Sequence, residues 1–426
     1  MNYYSTNNRE QIASFEGAVF NSLPPDNGLY FPEHIPKVSY FLGSMASLTK
    51  EDIGFEIARH FVDHEIPENI LRSIVAETVN FDLPLVAIDE KISAMELFHG
   101  PTWAFKDVGA RFLSRCMGYF NESREKEVHV LVATSGDTGG AVAAGFYGVE
   151  GVKVTILFPK GKVSDVQQQQ LTSWGDNIQA LEIDGSFDDC QKLVKTAFLD
   201  KDLNGKINLS SANSINIARL IPQSFYYFFT FQQLENWENV VFSIPSGNYG
   251  NLSAGLLAWK MGLPIKRFIA ASNANKIVPD YLNTGEYKPK ESVQTYANAM
   301  DVGAPSNFVR VLEIFRSDHG RMCEMIEGFS LSDEEILATM RQCNDDKNYV
   351  LDPHGAIGYE ALRQLLKPEE QGIFFETAHP VKFVDVVEKA LGRSVDYTDK
   401  IEGLMQRSAE FTSLPANFEE LKGVLM

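Results

Sequence analysis

Residues 128–147 read VHVLVATSGDTGGAVAAGFY, and this stretch decides the fold. Val128–Ala133 is a short apolar run rich in valine, the signature of a strand buried on both faces. Thr134–Gly140 then supplies glycines and hydroxyls, and Gly139–Tyr147 is a run of small residues that suits a closely packed helix. The pattern repeats outward. Lys153–Phe158 and Ile178–Ile183 read as strands, and Ser164–Trp174 and Phe187–Leu199 as helices. Such alternation predicts a parallel sheet covered by helices. A second series starts with a strand at Val240–Ile244, a helix near Leu252–Met261 and a strand at Phe268–Ala271. It resumes with a strand at Ile373–Glu376 and a helix over Val381–Leu391. Tyr281–Ser332, rich in Gly, Pro and Asn, is expected to hold irregular loops. The fold class is therefore α/β, with two α/β domains of mainly parallel sheets facing one another across a cleft, the usual place for a ligand. Met1–Asp82 reads mainly helical: Thr49-Lys50-Glu51-Asp52 can cap one helix and Pro67-Glu68 can open the next.

Composition bounds the function. The chain has 426 residues, 44% hydrophobic and 22% charged, as expected of a globular protein with a large core. A formal net charge of -19 argues against a nucleic-acid partner, which demands a basic face. A small anionic substrate needs only a local positive pocket. Cys116, Cys190, Cys323 and Cys343 form no CxxC and no Cys/His cluster, so they read as reduced thiols of a cytoplasmic protein and not as a metal site. The start, MNYYSTNNREQ, lacks the pattern of a signal peptide, and the most apolar stretch, Phe225–Phe231, is too short to span a bilayer.

Four segments carry candidate chemistry. In His99–Phe112, HGPTWAFKDVGARF, Lys106 sits among Trp103, Ala104 and Phe105, after a Gly-Pro break and before a helical spacing of Val108, Phe112 and Cys116. A desolvated ammonium loses its proton more readily, and a neutral amine can attack a carbonyl, as a Schiff base with pyridoxal phosphate requires. The alternative is a packed stem with its head paired to Asp107 or another carboxylate. The loop Thr134–Gly140 places amides and hydroxyls at a helix start, an anion site that would suit an α-carboxylate, or else a capping loop using Ser135, Asp137 or Thr138. It is no Walker A loop, and GxGxxG is missing too. Ser246–Asn251, SGNYGN, is again a Gly-rich turn between strand and helix, able to cradle a phosphate through amides, or simply a tight turn. Glu376–Pro380, ETAHP, places Thr377 at a strand end, where its hydroxyl could meet a ring nitrogen or cap a helix.

The set HGPTWAFKD, TSGDTG, PSGNYGN and ETAHP, in this order, resembles the threonine synthase family, pyridoxal-phosphate enzymes of fold type II. Asn213–Asn216 followed by Arg219 and Pro222-Gln223, the Asp352-Pro353-His354 turn and the opening YYSTNN extend the resemblance over nearly the whole chain. It is closest in kind to the longer bacterial and fungal branch. The resemblance implies a tryptophan synthase β-like architecture with an N-terminal region over 1–85, a smaller α/β domain over 86–225 and a larger one over 226–426.

It also implies roles. Lys106 would be the catalytic lysine that holds pyridoxal 5'-phosphate and shuttles protons. Gly247, Asn248, Tyr249, Gly250 and Asn251 would bind its phosphate, Thr377 would meet its ring nitrogen, and Asp137 would lie beside its phenolic oxygen. A carboxylate repels a phenolate, so Asp137 should share a proton or turn away. Thr134, Ser135 and Thr138 would hold the substrate carboxylate. Ser214, Asn216 and Arg219 would hold its phosphate, with Arg111 and Lys160 behind them. The implied reaction takes O-phospho-L-homoserine and water to L-threonine and phosphate, in a monomer or homodimer. Two other readings stand beside it: another fold type II lyase, such as an amino-acid dehydratase or a phospho-lyase, and a cofactor-free binding protein on the same scaffold.

Overall fold

The computed structural model describes residues 1–124 and 126–426. Strands are numbered in chain order. A three-stranded antiparallel sheet orders β1 (Tyr3–Ser5) between β2 (Ile12–Ala13) and β3 (Tyr30–Pro32). β4 (Leu85–Ala87) and β5 (Ile92–Glu96) open a six-stranded sheet that also holds β10 (Val240–Pro245), β11 (Ile265–Ser272), β12 (Ile326–Ser330) and β13 (Gln371–Glu376), in the order β12-β11-β10-β13-β5-β4. β6 (Val128–Ala133), β7 (Val152–Pro159), β8 (Ile178–Asp184), β9 (Asn208–Ser210) and β14 (Thr412–Pro415) form a five-stranded sheet in the order β14-β8-β7-β6-β9. In both larger sheets every pairing is parallel except β4 with β5. Every residue of β10 is buried, which is why it reads as an unbroken apolar run.

The small-residue helix after β6 runs Asp137–Phe146, and its glycines have packing reasons. A Cβ on Gly145 would stand 3.1 Å from the Ala110 backbone, and one on Gly139 would meet Leu171, Thr134 and Ile156. The helix Lys106–Asn121 therefore lies hard against its neighbour, and position 106 is fixed by that contact.

Three sequence expectations differ from the structure. The N-terminal region has the expected helices Lys50–Val62, with the Thr49–Asp52 capping box, and Glu68–Thr78, but it also holds the antiparallel sheet. Its strands are two or three residues long, too short to show a period. Tyr3 anchors it by donating to the Phe61 carbonyl at 2.6 Å. Within Tyr281–Ser332 the structure places helices Phe308–Phe315 and His319–Met325 and the strand β12. Gly, Pro and Asn there mask an apolar stripe of Phe308, Val311, Ile314 and Phe315, all buried. Finally, sheet membership cuts across the expected boundaries. β5 joins the sheet of β10 to β13, and β14, near the C-terminus, joins the sheet of β6 to β9. A parallel sheet takes strands from distant parts of the chain, so contiguous ranges do not map onto its layers.

The wholly buried stretch Phe225–Phe231 lies in the helix Phe225–Gln233. Tyr227 is its key contact with the six-stranded sheet: its ring lies 4.9 Å from those of Phe242 and Phe375, and its hydroxyl donates to the Asn251 carbonyl at 2.7 Å. Gly255 faces that ring, and a Cβ there would fall 2.4 Å from it. Because Tyr227 is held on every side, Gly255→Ala should lower stability by about 1–3 kcal/mol. Gly205→Ala, on the helix Lys201–Lys206 with nothing within 4 Å, should raise it by about 0.5–1 kcal/mol. Opposite shifts in the thermal midpoint of the two variants check this.

Candidate active site

The C-terminal ends of β6, β10 and β13 converge on one cleft between the two larger sheets, of about 460 Å³. Lys106, the first residue of its helix, lines it. A two-stranded ribbon fixes the approach. Ala104 bridges Ala378, the Phe105 amide donates to the Thr377 carbonyl at 2.8 Å, and the His379 amide donates to the Trp103 carbonyl at 2.9 Å. The same pairing that places Lys106 thus places Thr377. Asp107 turns back into the preceding loop, where it accepts from the Thr102 amide at 2.9 Å and hydroxyl at 2.5 Å. Gly100 makes room, since a Cβ there would lie 2.5 Å from Asp107 Oδ2. The alternative Lys106–Asp107 ion pair is therefore not formed. Burial draws the Lys106 ammonium down to about 8; Asp137 opposes the fall, and Lys382 and Arg219 assist it.

Residues 247–251 line the same cleft. The amides of Gly247, Asn248, Tyr249, Gly250 and Asn251 donate to no acceptor among the described residues, and they open the twelve-residue helix Gly250–Met261. Tyr249 turns the chain in a left-handed conformation, φ 61. The side chains of the loop serve its shape. Asn248 donates to Ser214 Oγ at 2.7 Å and accepts the Ser306 amide at 2.6 Å, while Asn251 donates to the Pro245 carbonyl at 2.8 Å and accepts from Ser246 Oγ at 2.7 Å. Gly247 admits the neighbouring loop, since a Cβ would stand 2.5 Å from Met300 Cα. A row of unengaged amides at a helix start is a cradle for a dianion. With an amine at Lys106 and a neutral hydroxyl at Thr377 on the same cleft wall, these residues fit pyridoxal phosphate.

The Thr134–Gly140 loop corrects one expectation. Thr134 Oγ1 accepts the Gly136 amide at 2.9 Å and the Gly139 amide at 2.8 Å, so its hydroxyl shapes the loop. Ser135 and Thr138 line the cleft, and the amides of Ser135, Asp137 and Thr138 have no acceptor among the described residues. Asp137 also lines the cleft. Its Oδ1 holds the Lys382 ammonium at 2.8 Å and accepts from Gln167 at 3.0 Å. Burial alone would push its carboxyl up, but the Lys382 and Lys106 ammonium groups, with those two bonds, hold it well below the usual carboxylate range.

Of the expected phosphate ligands, Ser214 and Arg219 line the cleft and Asn216 does not. Asn216 is fully buried, caps its helix through the Ala218 amide at 3.0 Å, and donates to the Val19 carbonyl at 2.8 Å and Ser22 Oγ at 2.9 Å. It tethers the N-terminal region and has no hydrogen left for a ligand. Arg111 lies over Phe81 and Lys160 is exposed near Glu182, both outside the cleft lining. Arg219 packs against Gly109 and donates to the Ala212 carbonyl, yet its Nε is buried and unpartnered and no carboxylate touches it. Burial draws it down to about 10. Behind Ser214, Arg310 is likewise fully buried, bonded to Asn307 and to the carbonyls of Ser214, Ile215 and Tyr30, and drawn down by burial to about 9.

Sequence reasoning missed Lys382, Gln167, Arg310 and His354. His354 lines the cleft with Nδ1 on Asp352 at 2.5 Å, and its Nε2 accepts the Ala299 amide at 3.2 Å. The available signal was local. Lys382 and Arg310 are single cations inside apolar runs, HPVKFV and NFVRVL.

The chain is similar to known proteins along its whole length. The profile of the family described as "Pyridoxal-phosphate dependent enzyme" matches residues 83–373, "Threonine synthase N terminus" matches 2–79 and "Threonine synthase, C-terminal" matches 355–425. The chain is 42% identical to a threonine synthase of Haemophilus influenzae, with all of both chains covered. The crystal structure of threonine synthase from Escherichia coli superposes with a TM-score of 0.94 at 41% identity, covering 100% of this chain and 99% of that one. A pyridoxal-phosphate-bound threonine synthase from Brucella melitensis superposes with a TM-score of 0.93 at 34% identity, covering 100% of this chain and 98% of that one.

The pH dependence of Lys106 is directly measurable. In the chain free of cofactor, acetylation of Lys106 by acetic anhydride, followed by mass spectrometry, should rise with a midpoint near 8, because the deprotonated amine is the nucleophile. Exposed lysines should rise about two units higher.

Proposed function

This chain belongs to the threonine synthase family of pyridoxal-phosphate-dependent enzymes, and we propose that its cleft converts O-phospho-L-homoserine and water to L-threonine and phosphate. The observation that carries the substrate assignment is Arg219, a buried guanidinium without a contacting carboxylate on the wall of the cleft that holds Lys106. Such a cation calls for an anion from outside the chain.

Pyridoxal phosphate bound to Lys106 and to the Gly247–Asn251 amides supplies an electron sink for a carbanion at the substrate α carbon. The chain's own groups do the rest. Ser135 and Thr138, with the adjoining free amides, hold the α-carboxylate and orient the α hydrogen. Burial draws the Lys106 ammonium down to about 8, so a useful fraction of free amine persists near neutrality. Lys106 Nζ would take a proton from the α carbon and then one from the β carbon, and would return protons at the γ carbon and finally at the α carbon. Arg219 and the Ser214 hydroxyl hold the phosphate that departs from the γ carbon. Water then adds at the β carbon. Thr377 offers a hydroxyl and no charge to the ring nitrogen, which keeps that nitrogen unprotonated and the sink moderate. We place the enzyme in the cytoplasm, as a monomer or homodimer; four unpaired cysteines suit a reducing compartment. Among the described residues no helix is long and apolar enough to cross a membrane.

The purified chain, given pyridoxal phosphate and O-phospho-L-homoserine, should release threonine and phosphate in equal amounts. Lys106→Ala should cut turnover by on the order of 10³-fold or more and abolish the visible absorbance of the bound cofactor. Phosphate without threonine would identify a phospho-lyase instead. Arg219→Met should raise KM for the phosphorylated substrate by roughly 10–100-fold while leaving the cofactor absorbance in place. An unchanged KM would remove Arg219 from the substrate site.

A further inference from the structure

A second lysine reaches the same carboxylate from a separate part of the chain. Lys382 lies in the single-turn helix Pro380–Phe383 after Thr377, and its side chain is completely buried. Its ammonium holds Asp137 Oδ1 at 2.8 Å and donates to the Thr102 carbonyl at 2.9 Å. The Lys382 carbonyl accepts from Ser164 Oγ at 3.0 Å, and Gln167 of the same helix donates to that same Asp137 oxygen at 3.0 Å. Four segments therefore meet at one carboxylate: the loop that carries Lys106, the start of the helix Asp137–Phe146, the helix Asp165–Thr172 and the end of β13. Gly136 is required for this meeting, since it holds φ 131 and a Cβ would lie 2.4 Å from the Gln167 amide group.

A buried lysine is costly to solvate, and an apolar side chain would fill the space without that cost. The arrangement makes sense through what it does to Lys106. The charged groups that act on Lys106 are Asp137, Lys382 and Arg219; Asp107, next to it, is turned to Thr102. A lone carboxylate at Asp137 would hold Lys106 as an ammonium. A carboxylate already paired to a second ammonium does so far less. Both Asp137 bonds fall on Oδ1, and Oδ2 takes no partner among the described residues while Asp137 lines the cleft.

We propose that Lys382 is a positioning residue: it clamps Asp137 at the start of its helix and neutralises it, so that Lys106 can stand beside a carboxylate as a free amine. The inference rests on Lys106 being the reactive amine, but its test needs neither turnover nor cofactor. The acetylation profile of Lys106 is measured in the cofactor-free chain and in variants. Lys382→Met removes a cation and exposes the carboxylate, so both changes favour the ammonium. The midpoint should rise by about one unit, which cuts the free-amine fraction about tenfold at neutral pH. Asp137→Asn leaves Lys382 without its partner and should lower the midpoint. Lys382→Arg should keep it near the native value. A role in packing alone does not produce shifts of opposite sign. If Lys382→Met does not fold, Lys382→Gln is read in its place, with the double variant Lys382→Gln/Asp137→Asn expected to return toward the native midpoint. A Lys382→Met or Lys382→Gln midpoint that is unchanged or lower, or an Asp137→Asn midpoint that rises, overturns the proposal. Loss of turnover in these variants without a midpoint shift overturns it too, and leaves the reaction assigned above untouched.

Discussion

A primary amine in water is almost wholly ammonium at neutral pH, and this fold lowers that barrier for Lys106 by drawing its ammonium down to about 8. The shift needs burial without an ion pair, a combination that a protein interior resists. It is reached by geometry. The Ala104–Ala378 bridge carries the lysine to the end of β13, the Gly145–Ala110 contact seats its helix, and the Thr102 loop captures the neighbouring Asp107. The parallel sheets matter because their strand ends deliver loops from both halves of the molecule to this one point.

The charge distribution follows the same logic. The chain carries a formal net charge of -19, yet around the cleft Arg219 and Arg310 are buried against carbonyl oxygens with no carboxylate in contact. Carbonyl dipoles solvate a guanidinium without cancelling its field. Two guanidinium charges thus stand uncancelled by carboxylate contact beside the cleft of an acidic protein, which favours a small anion there while the net negative charge repels polyanions. Asn216 and Arg310 also explain the N-terminal region. Through Val19, Ser22 and Tyr30 it braces the back of the loop that presents Ser214 and Arg219. Asn21, Ser22, Leu23 and Asn27 of this region also line the cleft.

How much of this could be read from residues alone depended on whether the signal was local. The strand Val128–Ala133 and the helix Phe187–Leu199 have the bounds expected of them, because a buried parallel strand and a capped amphipathic helix are each legible within a dozen residues. Lys106 and the Gly247–Asn251 turn were legible for the same reason: a lysine among aromatic residues and a Gly-Asn loop before a helix are local oddities. Asn216 misled because an asparagine at a helix start looks alike whether it faces a ligand or the Val19 carbonyl. Lys382 is a local oddity as a cation in an apolar run, but its meaning lies in Asp137, more than two hundred residues away, and no local pattern records that pairing. The helices within Tyr281–Ser332 were hidden by composition, since glycine and proline at their ends obscured the stripe between them.

The two anion sites differ in kind, and on the proposed reading the difference has a cause. The Gly247–Asn251 cradle is built of backbone amides whose side chains are all engaged in holding the loop, so it is rigid and carries no net charge. That suits a dianion which stays through every turnover, because affinity comes from fixed geometry. The second site is built of a guanidinium and a hydroxyl that line the cleft. A phosphate that must be held as an ester and then released as a free ion gains charge as its bond to carbon breaks, and a cation stabilises that gain where a neutral amide row would do so less. A site that grips hardest as the bond breaks accelerates the step; one that gripped the intact ester equally would only bind it. The placement of the unpaired charge at Arg219 and of the neutral amides at the cradle is therefore the arrangement that the two phosphates require, and exchanging them would hold the product and loosen the cofactor.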